Sequence, residues 1–199
     1  MKTMEILEIR TLRGPNYWSG YWKKLIIMRL DIGVFEKKPT NKIKGFYDRL
    51  VEALPSIGSH GCSYGEEGGF LKRVEEGTWA GHAIEHFALE LQTLAGMDTG
   101  YGRTRETTEK GIYNVVFSYV EEEVGRYAGR AAVSLWLDLA GGRSVDEIKA
   151  DLAKEIQEMR ELREEVRFGP STGSLVEEAE NRDIPFIRLN DQSLVQLGY

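Results

Sequence analysis

The sequence predicts a two-layer α/β domain of the α+β type, with helices packed on a mostly antiparallel sheet and followed by a short helix-hairpin appendage. Short segments rich in Ile, Leu and Val carry interleaved charges, which is typical of strands. Longer segments place their apolar residues on one face, which is typical of helices. The order in which these segments follow one another favours helices packed on that sheet.

The elements follow from the sequence in chain order. Strands are predicted at 4–14 and 23–33, within 99–120, and at 184–190 and 193–199. An aromatic loop is predicted at 15–22 and a glycine-rich loop at 59–70. Helices are predicted at 45–54, from the N-cap Thr78 to a stop at Gly96, at 121–142, at 145–166 and at 174–181. In the helix at 121–142, Gly125, Ala128, Gly129 and Ala132 form a flat stripe that permits close packing.

Composition excludes several classes of protein. The 199 residues carry a net charge of −6, which argues against a general nucleic-acid binder. No apolar run approaches the roughly 18 residues that span a bilayer, and the first residues lack the apolar core of a secretory signal. The single cysteine, Cys62, excludes an internal disulfide framework. We therefore expect a cytoplasmic protein with no nucleic-acid or membrane partner.

The segment 78–96 carries two of the three histidines, in the order His82-Ala-Ile-Glu85-His86. Spacings of three and four place these side chains on one helix face. Two imidazoles at i and i+4 can bind one metal ion, for which zinc is the usual choice, and the glutamate between them can accept a proton from a metal-bound water. This order is that of the reversed zincins, H-x-x-E-H. The alternative is a surface-facing or hydrogen-bonded histidine pair.

A third metal ligand has to come from elsewhere in the chain. Glu121, Glu122 and Glu123 begin the later helix, and Cys62 and His60 lie in the glycine-rich loop. Glu122 is the favoured ligand, since it shares a face with Gly125 and Gly129. The acid run can equally serve the helix dipole, and Cys62 can equally be a small buried residue.

Arg103 and Arg105 alternate with Thr104 on a predicted strand, so both side chains point to the same face. Guanidinium groups bind carboxylates through two parallel hydrogen bonds. The pair is therefore a candidate substrate-binding site, and a solvated edge strand is the alternative.

Long stretches resemble the amino-terminal region of the cyanophycin synthetase family. They are "LEIRTLRGPNYWS", "GGFLKRVEEGTWAGHAIEHFALELQTLAGMDTGYGRTRET", "YNVVFSYVEEEVGRYAGRAA" and "GPSTGSLVEEAENRDIPFIRLNDQSLVQLGY". The resemblance implies an N-terminal domain at 1–165 and the truncated start of an ATP-grasp module at 166–199. Family enzymes build a polymer with aspartate in the backbone and arginine on each β-carboxyl.

The resemblance implies that the chain anchors the cyanophycin polymer beside ATP-grasp and Mur-ligase-like modules. In some family members this domain also cuts polymer into primers at a metallopeptidase-like site, which matches His82, Glu85 and His86. Because no G-x-x-x-x-G-K-[ST] loop is present, we expect neither ATP binding nor ligase activity. A third interpretation is a structural domain of the synthetase without catalysis, for example one that forms a homo-oligomer.

Overall fold

A computed structural model describes residues 3–21 and 23–198. Trp22, which ends the predicted aromatic loop, and Tyr199, which ends the last predicted strand, lie outside these residues. The strands are β1 (Glu5–Arg13), β2 (Lys24–Asp31), β3 (Gly102–Glu106), β4 (Ile112–Ser118), β5 (Phe186–Arg188) and β6 (Val195–Leu197). The helices are α1 (Phe46–Ala53), α2 (Gly69–Glu76), α3 (Ala80–Leu94), α4 (Glu122–Gly141), α5 (Val145–Val166) and α6 (Pro170–Asn181).

Four strands form one sheet in the order β1-β2-β4-β3, with antiparallel pairing throughout the described residues. Alternation along β2 sends Ile26, Met28 and Leu30 into the main core beneath the helices. Leu25 and Ile27 point the other way, where they join a smaller cluster on the outer face of the sheet. The predicted α+β class is confirmed, and β3 lies at one edge of this sheet.

The helices α3 and α4 pack side by side on the inner face of the sheet. The predicted small-residue stripe of α4 explains the close approach. A Cβ added to Gly125 would lie 2.7 Å from Cβ of Tyr119 and 3.3 Å from Cγ1 of Ile26. One added to Gly129 would lie 3.0 Å from Cζ of Phe117. Glycine at these positions therefore lets the helix backbone rest directly on the sheet.

Helix α5 covers the outer side of the pair formed by α3 and α4. It packs against α4 and α1. Ser144 caps it: the Ser144 hydroxyl accepts a hydrogen bond from the backbone N–H of Glu147, and the Glu147 carboxylate accepts one from the backbone N–H of Ser144. This capping box explains why the helix begins where the sequence predicts. Trp136 of α4 is fully buried between Phe35 and Phe46.

Three local predictions differ from the structure. Helix α2 forms at the end of the segment predicted as a glycine-rich loop and just beyond it. Thr78 is not the N-cap of α3: Trp79 holds that position, and the Thr78 hydroxyl lies 2.8 Å from Nδ1 of His82 instead. Helix α6 begins at Pro170, four residues before the predicted start, because proline suits the first helical turn.

The appendage consists of α6 and the hairpin β5-β6. It meets the preceding residues through an ion pair between Lys24 and Glu180 and a hydrogen bond from Arg188 to the carbonyl oxygen of Val166. The division into domains 1–165 and 166–199 stays a prediction. No helix within the described residues is both long and apolar enough to cross a membrane.

We expect Gly125→Ala to lower the free energy of unfolding by about 1–3 kcal/mol, because the new methyl group overlaps Tyr119. Gly141→Ala is the matched control, since nothing lies within 4 Å of the methyl group there. That control should gain up to about 1 kcal/mol from helix propensity. Urea unfolding of both variants tests this, and equal stabilities would show that α4 is not in tight contact with the sheet.

Candidate metal centre

The three histidines converge beside the first half of α3. His82 and His86 lie one turn apart on the side of the helix that faces α2, and His86 stacks on Phe70 with ring centroids 4.1 Å apart. His60 comes from the loop before α2, and its ring centroid lies 5.2 Å from that of His86. The fold therefore confirms that the predicted histidine pair shares a helix face, and it adds the third imidazole.

Cys62 reaches the same place from the glycine-rich loop. Its Sγ lies 3.3 Å from Nε2 of His82. The loop can fold so tightly because Gly69 lacks a side chain: a Cβ there would lie 2.0 Å from the carbonyl oxygen of Gly61. Cys62 itself has φ of 50°, an uncommon backbone conformation for a residue with a side chain.

Cys62, His82 and His86 form a candidate metal site, with one donor atom from each lying within 4.8 Å of the others. A thiolate and two imidazoles are ligands that zinc takes in proteins, with a fourth position left for water or substrate. His82 is oriented by Thr78, whose Oγ1 lies 2.8 Å from Nδ1. In the tautomer that donates this Nδ1–H to Thr78, the Nε2 lone pair remains for the ion. The residues present therefore fit zinc.

Burial keeps both imidazoles neutral, as ligation requires. Burial, followed by the positive charge of Arg73, lowers the pKa of His82 to about 4. Burial, followed by the charges of His82 and His60, lowers the pKa of His86 well below its usual range. Neither ligand would have to release a proton before a metal ion binds near neutral pH.

His60 stands behind His86. Its Nδ1 lies 2.9 Å from Nδ1 of His86, and its Nε2 lies 2.7 Å from Oε2 of Glu90. Burial raises the pKa of Glu90, but hydrogen bonds from His60 and Ser56 outweigh it and hold that pKa below its usual range. His60 has both ring nitrogens engaged, so Cys62 fits the third-ligand position better.

Glu85, predicted on the same helix face as His82 and His86, instead points from α3 toward the edge strand β3. Its Oε2 lies 2.6 Å from Oγ1 of Thr104, and Gly102 makes room for it, since a Cβ there would lie 2.3 Å from Oε1. Burial raises the pKa of Glu85 to about 8, against the hydrogen bond of Thr104 and the charges of Arg105 and Arg103. Within the described part of the chain, no hydrogen bond joins Glu85 to His82 or His86.

The protonated form of Glu85 explains its hydrogen bonds. Thr104 Oγ1 also lies 3.2 Å from the carbonyl oxygen of Gly81. A hydroxyl has one hydrogen to donate, so Thr104 cannot donate to both oxygens. When Glu85 carries a proton, it donates to Thr104, and Thr104 donates to Gly81. Both contacts are then satisfied.

The structure does not bring the acid run to the histidines. Glu122 forms an ion pair with Arg13 of β1, with 2.6 Å between Nη2 and Oε2, and lies 3.4 Å from Nε of Arg126. Glu122 and Glu123 lie in the first turn of α4, where acids favour the helix dipole. The close group of donor atoms found among the described residues contains neither of them, nor Glu121.

Arg103 and Arg105 lie on the outer face of β3, opposite Val116 and Asn114 of β4. Both side chains are exposed, and each donates to a backbone carbonyl: Arg103 to Trp18 at 3.4 Å and Arg105 to Thr104 at 3.1 Å. Within the described residues neither has a carboxylate partner closer than 4 Å. The prediction that both point the same way is confirmed, and both guanidinium groups remain available to a ligand.

The amino-acid sequence of this chain also matches a known protein family. A family model described as cyanophycin synthase-like N-terminal domain matches residues 26–141. The chain belongs to this family. The resemblance drawn from the sequence is thereby confirmed, and the matched residues contain the cysteine, the three histidines, Glu85 and both arginines of β3.

Proteins related to this cyanophycin synthase-like domain are considerably longer than the chain itself. Cyanophycin synthetases of Trichormus variabilis, Crocosphaera subtropica and Synechocystis sp. are 55%, 54% and 53% identical to it over 197, 198 and 196 residues. Each alignment covers 98% of this chain and 22% of the relative. The chain thus spans about a fifth of the length of these curated relatives.

Sequence reasoning missed the residues that support the site. The sequence pattern predicts Thr78 as a helix N-cap and indicates no role for Thr104 or Glu90. Glu90 carried a usable signal: it lies four residues after His86 in a mostly apolar helix, where a carboxylate needs a partner. No comparable signal marks Thr104, because its contact with Glu85 depends on how β3 packs against α3.

The raised pKa of Glu85 predicts how the stability of this cyanophycin synthase-like domain depends on pH. In the metal-free protein, the folded state holds the Glu85 proton up to about pH 8, while the unfolded chain releases it near 4.5. Wild type therefore loses stability between these values, by on the order of 5 kcal/mol. Glu85→Gln stays neutral, so its unfolding free energy should exceed that of wild type increasingly as the pH rises.

Urea unfolding at several pH values in the presence of a chelator measures this difference. Glu123→Gln, which removes an exposed carboxylate, should follow wild type throughout. Parallel curves for wild type and Glu85→Gln would contradict a buried neutral carboxyl.

Proposed function

We propose that this chain binds cyanophycin and cuts it at a zinc site formed by Cys62, His82 and His86. The observation that carries the proposal is the convergence of these three donor atoms at a helix that also carries a buried glutamate of elevated pKa. The family supports the choice of polymer, since relatives are named cyanophycin synthetases. The chain would then act as the anchoring and primer-forming part of a larger synthetase with ATP-grasp and Mur-ligase-like modules.

Each residue of the site has a separate task. Zinc, when bound, polarises the scissile carbonyl and lowers the pKa of a bound water. In its ionised form Glu85 would accept a proton from the attacking water and return it to the leaving amine, and a pKa of about 8 would suit both transfers. Thr104 positions the carboxyl, with its Oγ1 2.6 Å from Oε2 of Glu85. Cys62 and His82 are held by the tight loop and by Thr78.

Polymer binding is proposed for the outer face of β3. Each repeat of cyanophycin carries an α-carboxylate and a guanidinium, so a binding surface needs partners of both signs. Arg103 and Arg105 have no carboxylate partner in the described chain. On the same outer face of the sheet, Arg10 of β1 forms an ion pair with Glu8. The net charge of −6 is compatible with such a ligand, because recognition depends on local complementarity.

We expect replacement of Arg103 and Arg105 by Ala to weaken binding to insoluble cyanophycin by about tenfold or more, because two carboxylate-binding forks are lost. The double Lys variant should bind with intermediate affinity, since lysine lacks the planar fork. Co-sedimentation at low salt measures the bound fraction.

The matched control removes Arg130 and Arg160, two exposed arginines on helices that likewise donate to backbone carbonyls. Equal losses in both double variants would indicate a general charge effect. Wild-type protein that stays in the supernatant at low salt would contradict anchoring altogether.

For the hydrolase, we expect Glu85→Gln to bind zinc normally and to lose cleavage by roughly 10²–10⁴-fold, because an amide cannot accept a proton from water. His82→Ala, His86→Ala and Cys62→Ala should each lose the zinc itself. Metal content after zinc loading and the length of incubated cyanophycin provide the two readouts. If wild type takes up no zinc and leaves the polymer intact, the proposed hydrolase is wrong and the two histidines have a structural role.

A further inference from the structure

We infer that Glu90 and His60 form a relay that fixes the tautomer of His86, so that its Nε2 lone pair is the one presented to a metal ion. This inference rests on the proposed zinc site, and it assigns positioning roles to two residues that are not ligands in it. The observation behind it is a continuous row of contacts from a buried carboxylate through one imidazole to another.

The direction of each hydrogen bond follows from the carboxylate end. An ionised Glu90 can only accept, so the 2.7 Å contact requires an N–H on Nε2 of His60. A neutral His60 then has a lone pair on Nδ1, which must accept. The 2.9 Å contact to His86 therefore requires an N–H on Nδ1 of His86. Nε2 of His86 is left with its lone pair.

The contacts of His82 are compatible with the same state. Its Nδ1 faces the Thr78 hydroxyl, and its Nε2 faces Sγ of Cys62. Both imidazoles of the site thus have Nδ1 engaged by a supporting residue and Nε2 left for the ion. Supporting hydrogen bonds of this kind typically change metal affinity by about 10–100-fold.

The relay is protected from competing partners. Glu90 is 3% exposed, and the side chain of His60 is 16% exposed. Phe70 stacks on His86 on the α2 side, and the backbone N–H of Phe70 donates to the carbonyl oxygen of His60 at 2.9 Å. These contacts hold both rings in place before any ligand arrives.

Nitrogen NMR of the imidazoles in the metal-free protein tests the relay directly, since the chain has only three histidines. At about pH 8, where free imidazole is neutral, we expect His60 as the Nε2–H tautomer and His86 as the Nδ1–H tautomer. A wild-type His86 with its proton on Nε2 would overturn the inference. This measurement needs neither zinc nor cyanophycin, so it is independent of hydrolysis.

The variant Glu90→Gln supplies the second arm. Its amide can accept from His60 or donate to it, so His60 and His86 should become mixtures of tautomers and zinc affinity should fall by about 10–100-fold. Glu75→Gln, an exposed change on α2, is the control and should alter neither readout. Wild-type tautomers together with wild-type zinc affinity in Glu90→Gln would refute the relay.

A third arm tests whether Glu90 acts through His60. In a His60→Ala background, Glu90→Gln should cause no further loss of zinc affinity, because the connection to His86 is already broken. Multiplying losses would show that the two residues act separately. If zinc binds and the tautomers are as expected while cyanophycin stays intact, the proposed hydrolase fails and the relay stands.

Discussion

The structure depends on one constraint: helix α3 is buried around most of its circumference and still carries several ionisable or polar side chains. Glu85, His86, Glu90 and Gln92 are all less than 10% exposed. Burying such groups without partners would cost several kcal/mol each. Three other segments supply the partners: β3 for Glu85, the loop before α2 for both His86 and Glu90, and the carbonyl of Ser118 at the end of β4 for Gln92.

The segments that supply these partners are themselves held by backbone contacts. Thr40 donates to the carbonyl oxygen of Val74 and accepts from the backbone N–H of Thr78, which fixes the chain just before α3. The approach of Gly61 to Gly69 fixes the loop that carries Cys62. A site built on such supports keeps its geometry without needing the ion to assemble it.

Local patterns were sufficient for much of the fold. Helix α5 runs from Val145 to Val166 as predicted, and the capping box at Ser144, a signal within four residues, marks its start. The spacing of His82 and His86 likewise placed them on one face. Contacts between distant segments were beyond such patterns. Glu122 matched a ligand in type and helix position, but its partner is Arg13 on β1, 109 residues away. Cys62 is a better ligand than Glu122 because of the path of the glycine-rich loop, which no local pattern predicts.

The edge position of β3 has a consequence for the polymer itself. Thr104 faces the buried glutamate on the inner side of the strand, while its neighbours Arg103 and Arg105 face outward. If one cyanophycin chain occupies both proposed sites, it has to turn around the rim of the sheet, a detour comparable to the roughly 10 Å that separates packed layers. Strand β3 would then set a minimum length for the polymer segment between the part bound by the arginines and the bond that is cleaved. Fragments shorter than that length could not be bound at β3 while they are cleaved.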